Sequence, residues 1–170
     1  MTAGGRRLAR PAEIGTGNGI RPLAIVALAV AGCAISAYLA AFELGWLHSM
    51  WDPVFGDGSR RVLTSAVSRA FPVPDAVLGA LAYAADALLA ALVAMRLPPL
   101  TVRRWLVMAL AVIVAVGALV GIGLAILQPI TVGTFCTLCL CSSAISVALA
   151  GLVLPEARAI DHHVTQEARP

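Results

Sequence analysis

The feature of this sequence that most constrains its fold is a long stretch without charge. No charged residue occurs between Arg104 and Glu156, and as a single helix these 51 residues (105–155) would be far longer than a hydrocarbon layer of roughly 30 Å is thick. Gln128, Pro129 and Gly133 interrupt the stretch near its middle, which predicts two membrane crossings joined by a tight turn. Two earlier apolar stretches, residues 23–47 and 76–95, predict two more crossings.

The composition excludes a water-soluble globule. Charged residues make up only 12% of the chain, whereas soluble domains contain about a quarter, and 60% of the residues are hydrophobic. The net charge of +3 is small and dispersed, so we expect no nucleic-acid partner. The sequence therefore predicts an all-α, polytopic membrane protein, a four-helix bundle embedded in lipid.

The distribution of arginine predicts the orientation of this bundle. Four crossings place both termini on one side, and nine arginines fall on that side against three in the loop 48–75. By the positive-inside rule both termini are cytoplasmic and the loop faces outward. We expect mobile cytoplasmic segments at residues 1–21 and 156–170. The transmembrane domain then spans residues 22–155, with helices at about 23–47, 76–95, 105–127 and 134–154.

The external loop contains a shorter helical pattern. From Ser59 to Phe71, pairs of apolar residues alternate with pairs of polar residues, which is typical of an amphipathic helix lying at a membrane surface. Such a helix would cap the bundle, or it would act as a lid over a cavity among the helix ends. The sequence leaves both roles open.

Two cysteines form the candidate reactive site. Cys136 and Cys139 follow the outer turn at the start of the predicted fourth helix, within about 60° of each other on one face. The N–H groups and the positive dipole end of a first helical turn stabilise a thiolate, and thiolates exchange with disulfides. The spacing favours a two-electron redox pair; the alternative is a pair of small residues that pack between helices.

The other two cysteines do not extend this site. Cys141 lies about 200° around the helix from Cys139, so the three cannot bind one ion, and we predict no metal. Cys33 is predicted about 15 Å into the first helix, near the middle of the bilayer. That depth makes a disulfide with Cys136 doubtful, and we interpret Cys33 as a packing residue.

The sequence also resembles the vitamin K epoxide reductase family, whose bacterial members couple disulfide formation to quinone reduction. The resemblance covers about residues 32–154. It depends on residues 32–39 of the first helix, 54–59 of the loop, 74–83 at the start of the second helix and, above all, the segment CTLCL at 136–140.

The resemblance implies a bundle around a pocket for a quinone of the ubiquinone or menaquinone type, in a bacterial inner membrane, with the dithiol near the outer face. It assigns the reaction with quinone to Cys139 and the exchange with a partner thiol to Cys136. Phe55 and Tyr83 would contribute to the quinone site. Asp75 stands where the family often has an Asn that hydrogen-bonds the quinone oxygen, and an acid could donate there only when protonated.

A carboxyl group inside the second predicted helix suits the same chemistry. Asp86 is about eleven residues into that helix, where an acid costs ~2.5–3.5 kcal/mol on insertion scales and should face the bundle interior. It shares a helix face with Asp75, Gly79 and Tyr83. Asp86 would relay one of the two protons that quinone reduction consumes, or it would fix the helix register through a hydrogen bond to Ser or Tyr.

The chain departs from the family in its external loop. Family members usually carry a cysteine pair there that relays electrons from a thioredoxin-like partner, whereas no cysteine occurs between Cys33 and Cys136. An outside thiol would attack Cys136 directly, a separate secreted thioredoxin-like protein would provide the relay, or the cycle is altered. The leading hypothesis is a thiol–quinone oxidoreductase. The alternatives are a non-catalytic membrane scaffold and, more weakly, a transporter subunit that uses Asp86.

Overall fold

The structure, a computed structural model, describes residues 20–65, 74–95 and 99–167. Within these ranges every regular element is a helix: α1 (Ile20–Glu43), α2 (Gly58–Leu63), α3 (Asp75–Ala94), α4 (Leu100–Thr131) and α5 (Thr137–Glu167). All of them except α2 are long and apolar enough to cross a membrane. The prediction of an all-α protein with four crossings is confirmed.

The four long helices pack as two pairs. α1 lies along α3 and α4 lies along α5, while contacts of α1 with α5 and of α3 with α4 join the pairs into a bundle. The larger buried cluster, which includes Ala29, Tyr83, Val114 and Leu149, takes residues from all four long helices. A smaller cluster around Leu39 and Cys136 lies at the end of the bundle that α2 covers.

The lengths of α4 and α5 differ from the prediction. We predicted that the third crossing ends at residue 127, but α4 continues through Pro129 to Thr131, because a proline in the last turn removes a single donor. α5 begins at Thr137 rather than at 134 and continues through Pro155 to Glu167, over most of the predicted tail. Packing explains this extension, since Ala157 is buried and Glu156 Oε1 lies 4.0 Å from Arg21 Nη1 of α1.

The predicted amphipathic helix at residues 59–71 is not confirmed. α2 ends at Leu63, and Thr64 and Ser65 follow it in a turn, while residues 66–71 lie outside the described residues. Within α2, Leu63 is buried and Arg60 and Arg61 are exposed, as the predicted faces require. The predicted segment 1–21 lies outside the described residues except for its last two, which are already part of α1.

Candidate functional site

Cys136 and Cys139 are joined by a disulfide at the start of α5, with their Cα atoms 5.2 Å apart. Cys136 immediately precedes the helix and caps it. Its Sγ accepts the N–H of Cys139 at 3.1 Å, and its carbonyl accepts the N–H of Leu140 at 3.0 Å. The Cys136 sulfur therefore lies at the positive end of the α5 dipole, where negative charge is stabilised.

The two sulfur-bearing residues differ in accessibility. Cys136 is 0% exposed and packs in the smaller cluster with Leu39, Leu63 and Ala76. Cys139 is partly exposed and lines a cavity between the helices. In this conformation a molecule in the cavity reaches Cys139, whereas a thiol outside the bundle does not reach Cys136.

Asp52 holds the loop against the start of α5. Its Oδ1 accepts the N–H groups of Val54 and Phe55 at 3.0 and 2.9 Å and the hydroxyl of Thr137 at 2.5 Å. Its Oδ2 accepts the hydroxyl of Ser59 at 2.6 Å, the N–H of Ser59 at 3.1 Å and the N–H of Thr137 at 3.4 Å. One side chain thus joins the loop, α2 and α5.

These hydrogen bonds also keep Asp52 ionised. Partial burial raises the pKa of the carboxyl group, but the hydrogen bonds from Ser59, Thr137, Phe55 and Val54 outweigh that effect and hold the pKa well below its usual range. At neutral pH, Asp52 is therefore a carboxylate whose charge is distributed over several donors.

α2 approaches the start of α5 closely at Gly58. A Cβ atom on Gly58 would clash with the backbone oxygen of Phe135, so only glycine permits this approach. The next residue, Ser59, is 0% exposed and its Oγ lies 3.2 Å from Cys136 Sγ. The sequence therefore places a hydroxyl group in contact with the buried sulfur of the disulfide.

A cavity of about 560 Å³ lies between the helices next to Cys139. This volume falls within the range of small-molecule sites, roughly 300–1,000 Å³. Apolar side chains form most of its wall, including Leu63 of α2, and all four long helices contribute to it. Asp75 and Gln128 line the cavity together with Cys139, and Asp86 and Leu149 also belong to its wall.

A polar stripe runs along one wall of this cavity. The hydroxyl of Tyr83 donates to the carbonyl of Ser142 at 2.5 Å and lies 2.6 Å from Ser146 Oγ. Asp86 is 4% exposed, and its Oδ1 is buried without a hydrogen-bond partner. One of the two roles predicted for Asp86 was a hydrogen bond that fixes the register between helices. Between α3 and α5 this role belongs to Tyr83.

The structure brings most of the predicted site residues together and leaves one apart. Asp75, Tyr83, Asp86 and Cys139 all line the cavity. Phe55 is not among the lining residues; its ring packs against Phe135 with the centroids 5.6 Å apart. Leu63 of α2 belongs to the wall instead, and a contact of Phe55 with a ligand stays a prediction.

The two cysteines outside the pair have separate environments. Cys33 is a free thiol whose Sγ donates to the carbonyl of Ala80 at 3.6 Å, across the α1–α3 contact. Cys141 is free and exposed. In the part of the chain that the structure describes, no three His, Cys, Asp or Glu side chains are grouped as metal ligands would be.

Sequence reasoning missed Asp52, Ser59 and Gln128. Gln128 is 5% exposed in α4, lines the cavity, and its Oε1 accepts the N–H of Cys136 at 3.0 Å. In the sequence its position before a proline indicates only a helix break. An Asp followed by a turn-rich segment was a usable signal for Asp52, since such side chains accept backbone N–H groups two and three residues later.

Comparison with known proteins gives one family. The model described as "Vitamin K epoxide reductase family" matches residues 23–154, which is more than half of the chain and includes α1 to α4 almost completely and α5 as far as Leu154. No match was found among curated protein sequences.

Proposed function

The chain belongs to the vitamin K epoxide reductase family, and from this premise we propose that it is a membrane thiol–quinone oxidoreductase. Members of the family are oxidoreductases that act on quinone-type substrates. In the proposed reaction the Cys136–Cys139 dithiol reduces a quinone. Two electrons and two protons pass from the two thiols to the two quinone oxygens, and the products are the disulfide and the quinol.

The observation that carries this proposal is the position of Cys139. The residue belongs to the disulfide and also to the wall of the 560 Å³ cavity. A planar apolar ring in that cavity would therefore meet the sulfur that reacts with it. Most of the wall is apolar with a few convergent polar groups, as is typical of sites that hold an apolar ligand in one orientation.

Two carboxyl groups in the wall would act on the quinone oxygens. Asp75 would hydrogen-bond one oxygen when protonated. Asp86, whose Oδ1 has no hydrogen-bond partner, is available to relay a proton to a bound ring. Tyr83 is already engaged with Ser142 and Ser146, so its contribution would be to shape the wall and to fix α3 against α5.

The proposed setting is a bacterial inner membrane, with both termini in the cytoplasm and the disulfide near the outer face. The arginine distribution supports this orientation through the positive-inside rule. A secreted thioredoxin-like protein would supply the thiols that reduce the disulfide after each turnover, and the quinone would be of the ubiquinone or menaquinone type.

Quinol formation by the purified protein tests the proposal. Protein in detergent with a soluble quinone and a dithiol donor should form quinol, and Cys139→Ala should reduce the rate to that of donor and quinone alone. Cys141→Ala is the matched control, because Cys141 is a free exposed thiol in the same helix and should be dispensable. Unchanged turnover in Cys139→Ala contradicts the proposal.

The complete burial of Cys136 favours one alternative, a scaffold that keeps the bundle without a redox cycle. In a scaffold the disulfide would be permanent. Thiol trapping in cells separates the two functions: an enzyme shows Cys136 and Cys139 passing between alkylatable and blocked forms when reductant or quinone supply changes, and a scaffold shows no change.

A further inference from the structure

The side chain of Gln128 carries a hydrogen-bond donor that no described residue accepts. Its Oε1 accepts the N–H of Cys136 at 3.0 Å, one of the backbone donors that the start of α5 leaves unpaired. Because a backbone N–H bonds only to the oxygen of an amide, this contact fixes which way the side chain faces. In the part of the chain that the structure describes, nothing accepts a hydrogen bond from Nε2 of Gln128.

The unused NH₂ group belongs to the wall of the cavity beside the disulfide. Gln128 is 5% exposed in the last turn of α4, and it lines the cavity together with Cys139. Most of the wall is apolar. An amide NH₂ group without a partner against apolar surface costs free energy, and an acceptor on a molecule in the cavity would remove that cost. The side chain therefore suits a ligand that carries a carbonyl oxygen.

We propose that Gln128 is a quinone-binding residue, whose side-chain NH₂ group donates a hydrogen bond to a quinone oxygen beside Cys139. The inference rests on the proposed function and adds a residue to its site. The other end of the same amide is bonded to the backbone of Cys136, a member of the reacting pair. One side chain thus positions the quinone oxygen relative to the disulfide.

Other polar groups of the wall are less suited to this contact. The hydroxyl groups of Tyr83 and Thr131 donate to backbone carbonyl groups. Asp75 donates only when it is protonated. The amide of Gln128 does not titrate, so it carries both of its hydrogens whatever the pH.

The contact would assist the reaction as well as binding. In the proposed reaction the two thiols lose two electrons and two protons to the quinone and become the disulfide. Negative charge grows on the quinone oxygens as the Cys139 sulfur reacts, before the protons arrive. A fixed N–H donor stabilises this charge more than it stabilises the uncharged carbonyl, so Gln128 should lower the barrier. Gln128 keeps its own hydrogens throughout.

The chain has only two glutamines, Gln128 and Gln166, which allows a direct test. Disulfide-bonded protein in detergent, with a heavy nitrogen isotope in its glutamine side chains, gives an NMR signal from each NH₂ group, and Gln166→Met assigns the two. A ubiquinone with a single isoprene unit should shift the signal of Gln128 and leave that of Gln166, near the far end of α5, in place. A Gln128 signal that stays in place up to the solubility limit of the quinone overturns the proposal.

Kinetics of the variant Gln128→Met give a second test. Removal of the NH₂ group should lower kcat/KM for this quinone roughly tenfold to a hundredfold, as expected for a lost hydrogen bond to a group that becomes charged. Gln166→Met is the matched control and should equal the wild type. The N–H of Cys136 loses its acceptor in both redox states, so the equilibrium of the disulfide with dithiothreitol should stay close to that of the wild type. Full kcat/KM in a folded Gln128→Met protein overturns the proposal.

The two measurements separate this inference from the proposed function. A shifted Gln128 signal without quinol formation would support the contact and contradict the proposed function. Quinol formation with an unmoved Gln128 signal would overturn the inference and leave the proposed function intact. If Gln128→Met does not yield folded protein, the NMR measurement on the wild type decides.

Discussion

At the residue scale, the site depends on a carboxylate that takes no part in the redox chemistry. Asp52 accepts hydrogen bonds from the loop, from Ser59 and from Thr137, and its pKa is held below the usual range. A group whose pKa is lower in the folded than in the unfolded protein stabilises the fold at pH values above its unfolded pKa, about 3.9 for Asp. This stabilisation is lost as the pH falls through the folded pKa.

Asp52→Asn should therefore lower the stability of the protein by about 2 kcal/mol at neutral pH, because charge-assisted hydrogen bonds are replaced and an NH₂ group faces backbone donors. Thermal unfolding in detergent would show a lower Tm for the variant at pH 7, with a difference from the wild type that shrinks below about pH 4. Asp57→Asn is the control, since Asp57 precedes α2 without a side-chain cap. Equal effects of the two substitutions would contradict a special role for Asp52.

At the scale of elements, the sequence predicted the long helices but not the contacts between elements. Uninterrupted apolar stretches predicted the four crossings, and the three-residue spacing predicted that Cys136 and Cys139 share a face. Thr137 and Asp52 meet across 85 residues of sequence, which no local pattern can indicate. Gln128 and Pro129 were misinterpreted because a proline near the end of a helix costs less than one in its middle.

The close approach of α2 to α5 leads to a prediction about Ser59→Cys. The oxygen it replaces lies 3.2 Å from Cys136 Sγ, so the introduced thiol should exchange with the disulfide and bond to Cys136, which releases Cys139. Alkylation under denaturing, non-reducing conditions followed by mass spectrometry would find modified Cys139. Thr64→Cys, exposed at the end of α2, should leave Cys139 blocked. Cys139 blocked in both variants would show that α2 does not approach Cys136 this closely in solution.

At the scale of the whole molecule, the bundle places the two sulfur atoms of the disulfide in different environments. The cluster around Leu39 and Cys136 closes one end and buries the Cys136 sulfur, while the cavity between the four long helices is next to Cys139. Glycines on α4 help to keep this space open: Gly117 lines the cavity, and a Cβ there would meet only Ser146 Oγ at 3.9 Å. Three findings therefore agree: the family match, the apolar helices and the cavity all fit a membrane bundle that surrounds an apolar site beside a disulfide.

If the cavity is the quinone site, filling it should impair quinone reduction and spare the disulfide. Gly117→Leu adds a side chain to the cavity wall, and a steric cost of about 1–3 kcal/mol for a bound quinone corresponds to a loss of roughly 5- to 150-fold in kcat/KM for quinone. Gly151→Leu is the matched control, because a Cβ on Gly151 meets no atom within 4 Å. Initial rates of quinol formation would measure the first effect, and the dithiothreitol equilibrium should be the same in both variants. Full activity of a folded Gly117→Leu protein would mean that the quinone reaches Cys139 by another route.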